Sequence, residues 1–335
     1  MMPLLTILIP TYNRARFLVE AVASAQAQSL SNIEIIVLDD CSPDETPEAV
    51  LPFLADGRIR YVRHEKNMGI AANWRFGIEA ARGEYFCILH DDDTIEATFL
   101  ETLMRPLADD VTLILSFCDH WVMDAGGRRL SEASRDSSRG YGRDKLPEGR
   151  LRDFAQDALI TNSIPAGAAV YRRTMVKPSF VDDRARGSID MWLLYQCFKT
   201  GAGAYFVPER LMNYRLHAHG MSRSMPFEMI EGHLFRYRWM LQDLDLVNFR
   251  TEFGGRLAEV LEWHGMALLR SNNFARARQS FREAFFARRT GKAFLGLALS
   301  YIGKAGLLLV NIIGRVRKLG FRNPAKQGTK DANHG

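Results

Sequence analysis

The chain has 335 residues, of which 47% are hydrophobic and 25% charged, and its formal net charge is +5. These values exclude a disordered chain, and the length exceeds one small core, so one large α/β domain with an appendage is expected. Cys41, Cys87, Cys118 and Cys197 lie far apart with no CxxC spacing, which argues against a zinc site or a disulfide framework and fits a reducing cytoplasm.

The N-terminus, Met1-Met2-Pro3-Leu4-Leu5, runs straight into a strand-like segment and lacks the charged and long apolar stretches of a signal peptide. Leu4 to Ile9 is a β-rich run stopped by Pro10, apolar on both faces as in a parallel sheet. Thr11-Tyr12-Asn13-Arg14 forms a loop, and Phe17, Leu18, Val22 and Ala25 recur at helical spacing. Ile33 to Leu38 is a second strand ending in Asp39-Asp40-Cys41-Ser42, and Pro47 suits the first turn of the helix that follows. Ile59 to Arg63 is a third strand, His64 to Gly69 a polar loop, and Ile70 to Ala81 a helix. Tyr85 to Leu89 is a short buried strand that ends in His90-Asp91-Asp92-Asp93.

This βαβαβαβ order with helical crossovers predicts a doubly wound, mostly parallel α/β sheet. Such sheets bind ligands at the C-terminal ends of their strands. Pro10-Thr11, Asp39-Asp40 and Asp91-Asp92-Asp93 all fall there. Three adjacent carboxylates at the mouth of a core strand repel one another and need a counterion. Oxygen ligands at that density suit a hard divalent cation, Mg²⁺ or Mn²⁺. The competing reading is an acidic turn in which Asp93 and Thr94 cap a helix carrying Ile95, Phe99 and Leu100.

Val111 to Phe117 is a further strand, ending in Cys118-Asp119-His120-Trp121. Neighbouring positions on a strand face opposite ways, so Asp119 and His120 make a weak metal pair. Residues 124–152 are polar, glycine-rich and arginine-rich, and read as a long functional or mobile loop. Phe154 to Ile160 suggests a helix, and Pro165 to Arg172 a small-residue loop leading into a strand. Ser188 or Asp190 caps a helix that turns Trp192 and Leu193 inward. Tyr205 to Pro208 and Leu211 to His217 read as two strands.

After Pro226 the period is helical throughout. Leu257, Val260, Leu261, His264 and Leu268 form one stripe, Phe274, Ala277, Phe281 and Ala284 another, and Asn272-Asn273 separates them in the manner of one tetratricopeptide-type hairpin. Phe294 to Ile313 is apolar but broken by Lys304, Asn311 and four glycines, which is marginal for a membrane span. With Arg315, Arg317 and Lys318 behind it, the stretch reads either as an interfacial helix or as a buried core helix. The chain from Asn323 onward is expected to be disordered.

Five segments in order carry a resemblance: Ile9-Pro10-Thr11-Tyr12-Asn13-Arg14, Val37-Leu38-Asp39-Asp40-Cys41-Ser42, Asn67-Met68-Gly69, Gly83-Glu84-Tyr85 and Leu89-His90-Asp91-Asp92-Asp93. Together they resemble the serial motifs of family 2 glycosyltransferases over about the first 225 residues. The resemblance implies a GT-A fold at 1–225, followed by a helical extension at 226–290 and an apolar, basic tail at 291–335. It implies an inverting transferase that moves a sugar from a nucleotide-diphosphate donor, a UDP-sugar above all, to a hydroxyl of a glycan or lipid-linked acceptor in cell-surface polysaccharide synthesis. It also implies Mn²⁺ or Mg²⁺ as cofactor and no nucleic-acid partner. The location expected is cytoplasmic, with peripheral contact to the inner face of the plasma membrane if the tail is interfacial.

By resemblance, Asp39 accepts from the base's ring N–H while Pro10, Thr11 and Asn13 frame the base. Asp93 is the direct metal ligand, and Asp91 and Asp92 serve the ribose or a metal-bound water. Tyr214-Arg215, His217 and Ser222 resemble a late loop over the donor phosphates, with Arg215 on the donor and His217 on the metal. Asp190 matches the catalytic base that opens the acceptor-side helix. Three positions depart from the family pattern: Cys41 stands where glycine is usual, His90 where an acid is common, and Ile189 where a Glu precedes the aspartate. Two alternatives remain: a nucleotidyltransferase that forms nucleotide sugars, which would want a glycine-rich loop that Thr11-Tyr12-Asn13-Arg14 does not supply, and a non-catalytic nucleotide-sugar-binding scaffold, against which the three aspartates and Asp190 speak.

Overall fold

The structure is a computed structural model that describes residues 2–217 and 227–305. The chain divides into two compact units, Met1–Arg236 and Tyr237–Gly335.

The first unit is built on one mixed sheet. Its strands are β1 (Leu5–Thr11), β2 (Ile33–Asp39), β3 (Ile59–Arg63), β4 (Tyr85–Ile88), β5 (Thr94–Ile95), β6 (Leu113–Met123), β7 (Gly149–Arg150), β8 (Ala169–Arg172) and β9 (Gly203–Arg215). The order across the sheet is β3-β2-β1-β4-β8-β6-β9-β5, with β7 on β9. Helical crossovers at α1 (Ala15–Gln26), α2 (Thr46–Val50) and α3 (Ile70–Ala80) make β1 to β4 mutually parallel, as the sequence pattern requires. The register sets Thr11 opposite Asp39 and Asp39 opposite Arg63, so these strands end level. Leu5, Ile7 and Ile9 pack with Ile35, Val37, Leu18 and Val22 in one buried cluster. Each such side chain contributes roughly 1.5–3 kcal/mol on burial. Gly83 lets β4 begin flush against β1, because a Cβ there would stand 2.6 Å from the Tyr85 carbonyl oxygen and 2.7 Å from Leu5 backbone.

Beyond β4 the sheet becomes mixed: β8 is antiparallel to both β4 and β6, and β6 is parallel to β9. Several expectations change here. Thr94–Ile95 does not open a helix; it is strand β5, antiparallel to Met212–Asn213, and helix α4 (Phe99–Asp109) starts only after Thr98. The pull of the ladder on β9 outweighs the capping signal of Asp93 and Thr94. The two strands expected at 205–217 are one strand, β9, with a register shift between Val207 and Arg210 opposite Cys118 and Asp119. The helix expected at 154–160 is a single π-helical turn, Gln156–Ile160.

The 124–152 stretch is not an open loop. It contains helix α5 (Ser131–Gly140), a 3₁₀ turn at Arg143–Lys145 and β7. Its inner face is polar, which is why no apolar stripe announced it. The Ser134 hydroxyl accepts from the Val122 N–H at 2.9 Å, and the Ser138 hydroxyl donates to Asp119 at 2.5 Å. Asp119 also pairs with Arg143 at 2.7 Å and Arg210 at 3.0 Å, and the Arg143 side chain is buried. The unit ends with α6 (Ile189–Lys199) and the first part of α7 (Phe227–Gln242), whose Gly232 meets the Ala185 backbone at a distance that excludes a Cβ.

The second unit contains α8 (Arg250–Arg270), α9 (Phe274–Ala287) and α10 (Gly291–Ile302). The break at Asn272-Asn273 is a turn in which Asn272 takes φ 61° and the Asn273 side chain caps α9. Gly265 and Gly296 leave room for the Phe281 ring, which a Cβ at either position would strike. Among the described residues no helix is long and apolar enough to cross a membrane. Of the 294–313 stretch, Phe294 to Ile302 lies in α10; residues 306–335, which hold the rest of it and the tail from Asn323, lie outside the described residues.

Replacing Asp119 with alanine leaves Arg143 buried without its counter-charge. We expect Asp119→Ala to cost about 3–5 kcal/mol of stability, read as a shift in the urea midpoint.

Candidate active site

The C-terminal ends of β1, β2 and β4 form one edge, and two tight turns shape it. Asn13 and Cys41 both take left-handed backbone, φ 57° and 62°. Cys41 thus occupies a conformation that glycine takes freely and that costs a residue with a Cβ about 1–2 kcal/mol. The Asn13 N–H donates to the Ser42 hydroxyl at 3.0 Å, and the Asp40 N–H donates to the Thr11 carbonyl at 3.0 Å, which locks the two turns together.

Asp39 is fully buried and accepts from the Ser42 N–H at 2.8 Å and the Tyr61 hydroxyl at 2.5 Å, with Arg63 3.5 Å away. Burial, then the bond to Asp39, pushes the Tyr61 phenol above its ordinary pKa. Asp40 has a different task. Its two oxygens accept from the Met68 and Gly69 N–H groups at 2.7 and 2.9 Å, latching the loop that opens α3.

The three carboxylates after β4 draw their counter-charges from distant segments. Arg14 Nη1 donates to Asp91 at 2.9 Å and to Asp92 at 2.7 Å. His217 Nε2 lies 3.0 Å from the same Asp92 oxygen, and the Thr11 hydroxyl donates to Asp91 at 2.8 Å. The Arg215 N–H donates to Asp93 Oδ1 at 2.9 Å. The Arg215 guanidinium is buried: Nε bonds the Asp92 carbonyl at 2.7 Å, Nη2 bonds Glu20 at 2.6 Å, and the group lies 5.0 Å from the Phe17 ring centroid. His90 stacks on Trp74 at 5.9 Å with its Nδ1 3.4 Å from Asp93 Oδ2.

One ligand atom each from His90, Asp92 and Asp93 lies within 4.8 Å of the others, the spread of a single cation's shell. Asp93 Oδ2 is buried and accepts no hydrogen bond among the described residues. A buried carboxylate oxygen without a donor is costly, and a divalent cation would satisfy it, so these residues fit one.

The electrostatics follow from crowding. Burial, opposed by Arg14 and reinforced by Asp92, raises Asp91 to about 6. Burial also raises Asp93. Burial opposes Asp92's ionisation too, but Arg14, His90 and His217 outweigh it and hold that group below the usual range. His90 resists charging by burial, yet Asp93, Asp92 and Asp190 together raise its pKa.

Asp190 lies in the first turn of α6 with its Oδ1 accepting from the Met191 N–H at 2.7 Å, close enough for its charge to act on His90. The structure therefore joins Thr11, Asp91, Asp92, Asp93, Arg215 and His217 in one network, sets Asn13 and Asp39 beside it through Ser42, and turns the Arg215 guanidinium toward protein groups. Pro10 stands half-buried at the end of β1 without a polar role. Sequence reasoning assigned nothing to Arg14, Glu20 or Trp74. Arg14 could have been noticed as the one cation in the loop after β1, but Glu20 and Trp74 carry no local signal.

A parallel half-sheet whose strand ends gather a buried aspartate, a paired-turn motif and an acidic cluster defines the GT-A class of glycosyltransferases. The chain belongs to glycosyl transferase family 2, whose sequence profile matches residues 6–179. It is 36% identical over 235 residues to the succinoglycan biosynthesis protein ExoO of Rhizobium meliloti, covering 69% of this chain and 66% of that one. Its fold is similar to S. aureus TarS 1–349 in complex with UDP-GlcNAc, at TM-score 0.59 and 15% identity over 90% of this chain and 87% of that one. It is also similar to the mannosyltransferase PcManGT of Pyrobaculum calidifontis in complex with GDP-Man and Mn²⁺, at TM-score 0.57 and 17% identity over 93% and 84%.

Because Asp91 is protonated more readily in the folded chain than at its ordinary 3.8, its contribution is fully present below that value and is lost as pH rises through about 6. We expect Asp91→Asn to gain stability relative to wild type between pH 4 and 8, measured by urea denaturation without divalent cation at each pH.

Proposed function

We propose that this glycosyltransferase moves a sugar, with inversion, from a UDP-sugar to a hydroxyl of a glycan or lipid-linked acceptor in cell-surface polysaccharide synthesis, with Mn²⁺ or Mg²⁺ bound at the acidic cluster. The observation that carries this reading is the buried, donorless oxygen of Asp93 beside Asp92 and His90 at the end of β4. The solved relatives' UDP-GlcNAc, GDP-Man and Mn²⁺ support the donor class and the ion, and ExoO's name supports polysaccharide synthesis.

Asp39, already holding Ser42 and Tyr61, shapes the nucleoside end together with Pro10, Thr11 and Asn13. Asp91 and Asp92 face the ribose. Asp93 would hold the ion, with His217 as the histidine assigned to it. The ion, when bound, stabilises the charge that develops on the departing diphosphate. Arg215 fixes Asp92 and Asp93 from behind through its backbone N–H and Nε. Asp190 accepts the acceptor hydroxyl's proton as that oxygen attacks the face opposite the leaving nucleotide.

A panel of UDP-, GDP- and dTDP-sugars tests the donor: release of nucleoside diphosphate supports transfer, and release of pyrophosphate would point to a nucleotidyltransferase. Asp190→Asn keeps the size and loses the basicity. It should lower kcat by about 10²–10⁴-fold and leave UDP binding unchanged in calorimetry. An equal loss of nucleotide affinity would move Asp190 to the donor side.

The second unit supports a peripheral contact with an anionic bilayer. Phe286 is 81% and Phe294 63% exposed, beside exposed Arg288, Arg289 and Lys292. Aromatic rings flanked by cations suit the headgroup boundary. The full chain should sediment with anionic vesicles and not with neutral ones, and a Phe286→Ser, Phe294→Ser double variant should stay in the supernatant. Equal binding to both vesicle types would sink the idea.

A further inference from the structure

We propose that His90 is a nitrogen ligand of the divalent cation and that it makes the centre prefer Mn²⁺ to Mg²⁺. This rests on the metal-dependent reading above and changes which histidine serves it.

Four observations converge. First, the donorless Asp93 oxygen points to His90: Nδ1 is 3.4 Å away, an ion-pair distance that falls short of a formed hydrogen bond. Two neighbouring ligands of an octahedral ion, each about 2.1 Å from it, stand about 3 Å apart, so a small contraction brings both atoms onto one ion. Second, the neighbouring hydrogen-bond donors are already committed. Arg14 and His217 both reach the same Asp92 oxygen, and Arg215 gives its N–H to the other oxygen of Asp93.

Third, the His90 ring is held. It stacks on Trp74 at 26° between planes, and Gly167 backs its Nδ1–Cε1 edge, where a Cβ would stand 3.4 Å from both atoms. The ring is nonetheless 34% exposed, so an ion can reach it from solvent. A fixed ring loses little freedom on binding a metal. Fourth, the group of possible ligands among the described residues contains His90, Asp92 and Asp93 and leaves out His217, whose Nε2 is turned to Asp92.

The chemistry gives the preference. Mg²⁺ is bound almost wholly through oxygen, whereas Mn²⁺, though the weakest binder among the first-row divalent ions, accepts an imidazole nitrogen beside carboxylates. An acidic residue at position 90 would offer only oxygen. His90 therefore tilts the same cleft from Mg²⁺ toward Mn²⁺.

The test is spectroscopic and needs no turnover. The full chain, labelled with ¹⁵N-histidine, is loaded with Mn²⁺ and UDP and studied by pulsed electron paramagnetic resonance. We expect a ¹⁵N coupling from a directly bound histidine, present in wild type and in His217→Gln and absent in His90→Gln. In calorimetry, the Mn²⁺-over-Mg²⁺ affinity ratio should fall at least about ten-fold in His90→Asp, comparable to what loss of a supporting group costs a metal site. Bound Mn²⁺ without histidine coupling overturns the inference and leaves the metal-dependent reading standing. A coupling that survives in His90→Gln and vanishes in His217→Gln also overturns it and returns the role to His217. No Mn²⁺ binding even with UDP overturns the metal-dependent reading itself. If His90→Gln does not fold, the wild-type and His217→Gln spectra still decide.

Discussion

Three carboxylates in a row at the end of a buried strand cannot remain uncompensated, and the first unit is arranged around that demand. The opposing charge comes from Arg14 in the loop after β1, and polar partners come from His90 at the end of the β4 run and His217 just past β9. Residues 14, 90 and 217 meet only when the parallel half of the sheet and its last strand are both in place. Charge compensation and sheet topology are therefore one requirement. The same crowding leaves Asp91 reluctant to ionise and Asp93 with a buried oxygen that accepts no hydrogen bond among the described residues. Carboxylates perturbed in this way cluster at functional sites.

Much of this was legible in the sequence because the parallel half is dominated by local rules. Apolar runs of strand length, each stopped by a polar cluster and followed by a helical stripe, leave little choice about β1 to β4, and the strand ends then mark the site. The family resemblance of the serial motifs agrees with the profile match at residues 6–179. What stayed hidden depends on contacts between distant segments. Thr94–Ile95 looks like a helix start until β9 is there to pair with it. Helix α5 packs through Ser134 and Ser138, so a search for apolar periodicity passes over it. The partnership of Arg215 with Glu20 spans most of the domain and has no sequence signature at all.

The polar cluster around Asp119 is instructive beside the acidic one. It too holds charged groups out of water, but every charge there is matched: Arg143 and Arg210 to Asp119, with Ser138 closing the set. It sits where α5 and β7 are tied to the β6–β9 pair, and it reads as architecture. The difference between the two clusters is satisfaction. Both oxygens of Asp119 are bonded, whereas one buried oxygen of Asp93 is not.

Arg215 has a further consequence. It ends β9, gives its backbone N–H to Asp93, and anchors its guanidinium on α1 through Glu20. Binding at the acidic loop and the placement of the chain that leaves β9 thus share one residue. Free-energy coupling of this kind is reciprocal. A ligand that draws Asp93 toward itself alters how firmly Arg215 is seated on Glu20 of α1, and a change at that point of α1 alters, by the same factor, how tightly the acidic loop holds its ligand.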